Sequence, residues 1–319
     1  MHESNSIRRM LAILFGRPDE VMLELGASGE LLVAKVRALL SLLTLALPLA
    51  SGLGGGDTSR ILLDLGVAVF VNLMAQIWLA LARDHRRLRW LPYASGGYDV
   101  AITYHRNSEA ADGVVAACRA AGARAVAIRA DVAVEADVIA AFEHAVAELG
   151  PLRVFVNNAG TLHRATRIDE YDLARLQEVV AVNVVGAFVA AREAVRRMST
   201  RHGGQGGAIV NVSSAAAYLG GPNEYVDYAA TKGAIDSMTI GLSKELAMDG
   251  IRVNAVRPGL IYTDIHDLSG IEGRVDKLAP NVPMQRGGQP EEVAELILWL
   301  ASDAASYVTG TLVNCSGGR

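Results

Sequence analysis

From about residue 98 to its end the chain predicts an α/β fold with a doubly wound parallel sheet, preceded over residues 1–95 by an all-α hydrophobic hairpin. Three observations carry this reading. Downstream of residue 98, short apolar strands alternate with amphipathic helical patterns, an order that builds a parallel sheet covered on both faces. The residues able to do chemistry fall just after those strands, at the carboxyl ends where such sheets bind ligands. Upstream, two long stretches are almost free of charge.

The leader comes first. Residues 38–56 contain no charged side chain, and residues 61–82 contain only Asp64. A spanning helix needs about 20 mostly apolar residues, so both stretches qualify, the first marginally because of Pro48 and its glycine-rich end. The polar gap at 57–60 suits a tight hairpin. Arg8, Arg9, Lys35 and Arg37 precede it, and Arg83, Arg86, Arg87 and Arg89 follow. By the positive-inside rule both ends face the cytoplasm, which sets a domain of residues 96–319 on the cytoplasmic side of a bacterial-type membrane. A secretory signal peptide fits poorly, because the first run starts too late and a second follows. The alternative is a pair of buried core helices in a cytoplasmic protein, which Asp64, Asn72 and Gln76 favour. In hydropathy alone the segment is similar to the membrane-anchoring leader of some bacterial nucleotide cyclases.

Composition narrows the rest. A net charge of -4 argues against a general nucleic-acid binder, which would carry a basic face. The two cysteines, Cys118 and Cys315, have no partners at metal spacing, so a reducing compartment is expected and metal catalysis finds no support. No internal repeat is present.

The strands and helices then follow in order. Strand 98–104 ends before Asn107 and Ser108, which open helix 108–121. Strand 123–130 leads to Asp131 and helix 134–149. Strand 153–159 ends in Asn157, Asn158, Ala159 and Gly160, where small residues let backbone approach a flat ligand. After helix 173–199, strand 208–214 ends in Ser213 and Ser214. Helix 226–248 carries Tyr228 and Lys232. Strand 251–257 ends in Arg257, Pro258 and Gly259, with the Thr263 hydroxyl four residues further on. Helix 290–303 and strand 311–315 close the chain.

Tyr228 and Lys232 carry the most chemistry. On a helix, residues four apart share a face, so phenol and ammonium lie side by side. A free tyrosine titrates near 10; acid–base work near neutrality requires a fall of roughly 3 units, about 4 kcal/mol. One ammonium at about 4 Å and an effective dielectric near 20 supplies about that much. A lone tyrosine–lysine pair at this spacing is common by chance. Ser214, fourteen residues upstream at a strand end, lifts it, because its hydroxyl can reach the same substrate oxygen.

Taken together, NNAG at 157–160, Asn183 in VVAVNVVGAF, IVNVSS ending at Ser214, YAATK at 228–232, IRVNAVRPG at 251–259 and the closing SYVTGTLVNCSGG resemble the short-chain dehydrogenase/reductase family over residues 98–319. The resemblance implies a Rossmann-type sheet and hydride transfer between a nicotinamide cofactor and a carbonyl or alcohol substrate. It implies Tyr228 as proton donor or acceptor, Ser214 orienting the substrate oxygen, Lys232 on the nicotinamide ribose, and Asn183 positioning a water that links Lys232 to solvent. Asp131 and Val132 would flank the adenine, and Asn158, Ala159 and Gly160 the ribose. Pro258, Gly259, Ile261 and Thr263 would serve the nicotinamide side. The first strand after the leader ends in His105 and Arg106 with no carboxylate, which favours NADP(H) over NAD(H). The loop Tyr262–Gly287 is mixed polar and apolar and leaves sugars, keto-acyl thioesters and small ketones open as substrates. By analogy the helices at 173–199 and 226–248 would join copies of the chain into a homo-oligomer.

One family feature is missing where it is expected. The family opens with a strand and a TGxxxGxG turn whose glycines admit the pyrophosphate to a helix N-terminus. Directly before strand 98–104 only Gly96 and Gly97 stand. Further upstream, residues 21–32 place Glu30 and Leu32 where glycines belong, and residues 52–57 end in Asp57, which would repel phosphate. The expectation is a sheet without its first, central βα unit, the leader standing in its place through gene fusion or a misassembled reading frame. Three hypotheses follow: an NADP(H)-dependent carbonyl reductase or alcohol dehydrogenase; a membrane-tethered, catalytically impaired relative; and an artefactual join of two unrelated pieces.

Overall fold

A computed structural model describes residues 98–319. The leader's two apolar stretches, both upstream glycine segments and Gly96–Gly97 lie outside the described residues. What is described is an alternating β/α chain. Strand β1 is Val100–Tyr104, helix α1 Ser108–Ala120, β2 Ala125–Arg129, α2 Glu135–Leu149, and β3 Val154–Asn157. Helix α3 (Leu173–Val180) runs through a π turn (Ala181–Gly186) into α4 (Ala187–Met198). Then come β4 (Gly207–Val212), the short α5 (Ala216–Leu219), α6 (Val226–Glu245), β5 (Ile251–Pro258), α7 (Arg274–Leu278), α8 (Pro290–Ala301) and β6 (Leu312–Cys315).

Local signals start these helices where the sequence placed them. The Asn107 side chain accepts from the Ala110 amide at 2.9 Å and caps α1. Asp172 caps α3 through the Arg175 amide at 2.7 Å. Pro290 opens α8, and Glu292 reaches back to the Gln289 amide at 2.8 Å, closing a capping box.

All strand pairs are parallel. Alternate residues of β4 and β5 feed opposite layers, as a period of two requires. Ile209 and Val253 pack with Ala194, Met198, Leu246 and Ile251 on the α4–α6 side. Val210 and Val256 pack with Ile261, Val293, Leu300 and Ala301 on the α8 side. A smaller core joins Val115, Cys118 and Ala125 beneath α1.

Among the described residues the sheet has two parts, β1–β2 and β3–β4–β5–β6, with no described strand between β1 and β3. Val156 on β3 is 40% exposed, whereas Val210 and Val256 on the neighbouring strands are fully buried.

Candidate active site

The site lies at the carboxyl ends of β3, β4 and β5, roofed on one side by the N-terminal turns of α6. Two contacts fix the catalytic helix to the sheet beneath it. The Ser213 hydroxyl donates to the Lys232 carbonyl at 3.2 Å, and the Lys232 ammonium donates to the Val212 carbonyl at 2.8 Å. Lys232 is buried, and Tyr228 and Ser214 are half-buried beside it. Its Nζ stands 5.6 Å from the centre of the Tyr228 ring. Ser214 takes the Ala216 amide on its Oγ at 3.1 Å and hydrogen-bonds the Tyr228 phenol. Serine, tyrosine and lysine are therefore brought together from β4 and α6.

Asn183 joins them from the π turn. Its Oδ1 accepts from the Thr161 amide at 2.8 Å. Its Nδ2 donates to the Thr161 carbonyl at 2.8 Å and to Thr231 Oγ1 at 3.1 Å. These bonds pin the turn after β3 to α6, and they explain the local geometry: the helix expected as one piece over 173–199 widens where Asn183 faces inward. Gly186 closes the same turn, where a Cβ would come 2.5 Å from the Val132 carbonyl oxygen. Only glycine lets the two backbones approach that closely.

The electrostatics correct one expectation. The sequence argument had Lys232 drawing the phenol down toward neutrality. Burial instead pushes Tyr228 up to about 12, opposed by the hydrogen bond from Ser214. Burial likewise pulls Lys232 down to about 8, opposed by the charge of Asp236. The reason is that desolvation disfavours both charged forms. Helical spacing reveals who the neighbours are, not how dry their surroundings are. At neutral pH the tyrosine therefore holds its proton and the lysine holds its charge.

The residues expected around a dinucleotide fall along one rim. Asn158, Ala159 and Gly160 are exposed after β3. A Cβ on Gly160 would lie 3.4 Å from Asn183 Oδ1 and 3.5 Å from Lys232 Nζ, so any larger residue would cover the amine. Pro258 ends β5, and a Cβ on Gly259 would approach Ser316 Cα to 2.8 Å. Ile261 is buried and bridges to Gly288, while Thr263 is exposed, with its hydroxyl 3.4 Å from the Ile261 carbonyl. These features fit the flat nicotinamide–ribose half of a cofactor.

Toward the other end, Asp131 is engaged with its own turn. Its Oδ1 accepts from the Ala133 amide at 2.9 Å, and its Oδ2 faces His105 Nε2 at 3.7 Å. Val132 follows it against Gly186. Arg106 is exposed, with no hydrogen bond or ion pair among the described residues. No described segment supplies a glycine turn for the diphosphate.

Three side chains not singled out from the sequence also shape the site. Arg175 of α3 grips Asp227, the residue before the tyrosine, at 2.7 and 3.1 Å. Asp236 stands one turn beyond Lys232 on α6. Their spacing was visible in the sequence, but the arginines that hold them, Arg175 and Arg257, come from distant segments.

The Enoyl-(Acyl carrier protein) reductase family profile matches residues 92–319. The chain is 51% identical to the uncharacterized oxidoreductase YgfF of Escherichia coli (strain K12), over 75% of this chain and 96% of that protein. Among solved structures, a short-chain dehydrogenase/reductase from Serratia marcescens BCRC 10948 superposes with a TM-score of 0.65 at 33% identity, covering 72% of this chain and 90% of its own. A metagenomic blue fluorescent protein in complex with NADPH matches at 0.64 and 35% identity, over 72% and 90% of the two chains. An NAD+-bound xylitol dehydrogenase matches at 0.64 and 29%, over 72% and 92%.

Proposed function

The chain belongs to the short-chain dehydrogenase/reductase family and is an NAD(P)-dependent oxidoreductase acting on a small molecule; from that premise we propose that it interconverts a carbonyl and an alcohol at Tyr228. The observation that carries the proposal is the meeting of Ser214, Tyr228 and Lys232 at the carboxyl end of β4, over the exposed turn at Asn158–Gly160. When bound, the nicotinamide supplies or accepts the hydride.

The protein's residues do the rest. Ser214 orients the substrate oxygen. Tyr228 gives its phenolic proton to that oxygen in reduction and takes it back in oxidation, and its proton retention at neutral pH favours reduction. Lys232, charged below about 8, holds the ribose hydroxyls and returns protons toward solvent along the Asn183 side. Asn158, Ala159 and Gly160 would receive the ribose, and Asp131 and Val132 the adenine. Pro258, Gly259, Ile261 and Thr263 would take the nicotinamide. Arg106, exposed at the end of β1, suits a 2′-phosphate and favours NADP(H) over NAD(H). The direct test follows deuterium from 4-deuterated NADPH, at millimolar concentration, into a panel of ketones, sugars and keto-acyl thioesters by mass spectrometry. Label on the carbinol carbon is expected, and its absence from every class overturns the reading.

A second reading comes from the sequence, where no TGxxxGxG turn stands directly before strand β1. We infer that the first strand and glycine turn of the family are lacking, so that the chain holds its cofactor weakly. Residues 38–82 would tether it to a membrane, with residues 96–319 as a cytoplasmic catalytic domain. Exposed Val180, Val185, Phe188 and Ile240 on the α3–α4 and α6 surfaces support association with further copies, which light scattering of the detergent-solubilised chain would test.

A further inference from the structure

Asp236 has no part in the chemistry above, yet it sits where a surface residue would not. Its side chain is 9% exposed, on the same face of α6 as Lys232 and one turn beyond it. Oδ2 accepts two bonds from Arg257, from Nε at 3.0 Å and from Nη2 at 2.7 Å. Oδ1 is buried with no hydrogen-bond partner. A carboxylate oxygen is not left dry and unpaired without cost. Arg257 in turn is the last side chain of β5 before Pro258 and Gly259. Its guanidinium lies 5.4 Å from the ring centre of Tyr218, whose hydroxyl donates to the Arg319 carbonyl at 2.6 Å.

The surroundings of Lys232 make the carboxylate significant. From α6 the titratable groups facing it are Tyr228 and Asp236. From β4 and the residue after it come the Val212 carbonyl and Ser213, both neutral. The π turn contributes neutral Asn183, and the turn after β3 contributes Gly160. From β5 the charged group is Arg257, whose guanidinium is held by the Asp236 carboxylate. Asp236 is thus the anion of this neighbourhood, and a buried ammonium requires one to stay charged.

We propose that Asp236, gripped by Arg257, is a positioning residue whose carboxylate keeps the buried Lys232 ammonium charged and in place over the turn at Gly160. The proposal rests on Lys232 being the working lysine, but it concerns an equilibrium that can be read without turnover or cofactor. Burial alone would drive the amine toward its neutral form, and Asp236 opposes that drift. Removing the carboxylate leaves the buried Lys232 without the anion that opposes its desolvation.

The test is direct because the chain has only four lysines, Lys35, Lys232, Lys244 and Lys277. The full-length protein labelled at lysine 13Cε gives few resonances, and Lys232→Met identifies the one of interest. Its titration midpoint is expected near 8 in the parent. In Asp236→Asn it should move to lower pH, enough to change the ratio of charged to neutral amine about threefold or more. Asp236→Glu should bring it back toward the parent. A variant that merely unfolds would move the midpoint the other way, toward the ordinary lysine value near 10.4. An Asp236→Asn midpoint equal to the parent's, or above it, overturns the proposal. If the midpoint falls as expected while Lys232→Met keeps full deuteride transfer, the catalytic reading fails and this inference stands.

Discussion

Replacing Arg175 by methionine should destabilise the catalytic domain sharply, and the cost can be worked from the Arg175–Asp227 pair. The two side chains are only 10% and 2% exposed, so their contact is shielded from water. Arg175 gives Asp227 two hydrogen bonds, at 2.7 and 3.1 Å, donates a third to the Arg164 carbonyl at 2.8 Å, and lies 4.0 Å over the Tyr171 ring. Breaking a buried pair by removing one partner costs about 3–5 kcal/mol, because the other charge is left without compensation. For a domain of this size that lowers Tm by about 6–20 °C. The assay is thermal unfolding by circular dichroism at pH 7 for the parent, Arg175→Met, Asp227→Asn and the double variant. The double variant should regain much of the loss, since no orphan charge remains. Acid should erode the difference. Burial raises the Asp227 pKa, but hydrogen bonds from Arg175, the Tyr228 amide and the Tyr171 hydroxyl outweigh it, and the net shift is downward. A depressed carboxylate pKa stabilises the fold above the unfolded value near 4, and that stability is lost as pH falls through the folded one. A coupling between the two substitutions below about 0.5 kcal/mol would refute the argument.

Other expectations follow from the site. Carbonyl reduction should decline as pH rises through about 8, where Lys232 loses its charge, while Tyr228 keeps its proton to about 12; a reduction rate still climbing between pH 8 and 10 contradicts those assignments. The chain should bind NADPH weakly, because losing two or three charge-assisted hydrogen bonds to the diphosphate removes several kcal/mol, and each 1.4 kcal/mol is tenfold in affinity. In fluorescence titration a protein with residues 1–95 exchanged for a family-type strand, glycine turn and helix should saturate, and the native chain should not. Micromolar binding by the native chain would mean that an upstream segment, residues 21–32 first among them, supplies the turn. The leader should carry the full-length protein into the membrane fraction; a monodisperse, detergent-free soluble protein reverses that reading.

Much of the fold was legible because strand, turn and cap signals are local. Four of the six strands fall within the apolar runs read for them and β4 and β5 overrun theirs by one residue, while Asn107 caps α1 as its position suggested. Ser214, Tyr228 and Lys232 meet because a strand end and one helical turn define their places. What escaped depends on distance or on dryness. The π turn arises where Asn183 bonds Thr161, twenty-two residues earlier, and no periodicity encodes that. The Asp227–Arg175 and Asp236–Arg257 pairs join segments separated by 52 and 21 residues. Helices α5 and α7 span four and five residues, too few for a repeat to show. The titration of Tyr228 is not legible in helical spacing, because the helix places a cation nearby while the fold removes the water.

The central claim is that Tyr228 is the proton donor, and Tyr228→Phe tests it most directly. Phenylalanine keeps the ring and its packing and removes the hydroxyl that Ser214 binds. Deuteride transfer from millimolar NADPH to the best ketone substrate should fall more than tenfold, with an unchanged circular dichroism spectrum and melting temperature. A folded Tyr228→Phe protein that retains over about a tenth of the parent rate, a loss of less than 1.4 kcal/mol in barrier, would contradict the account.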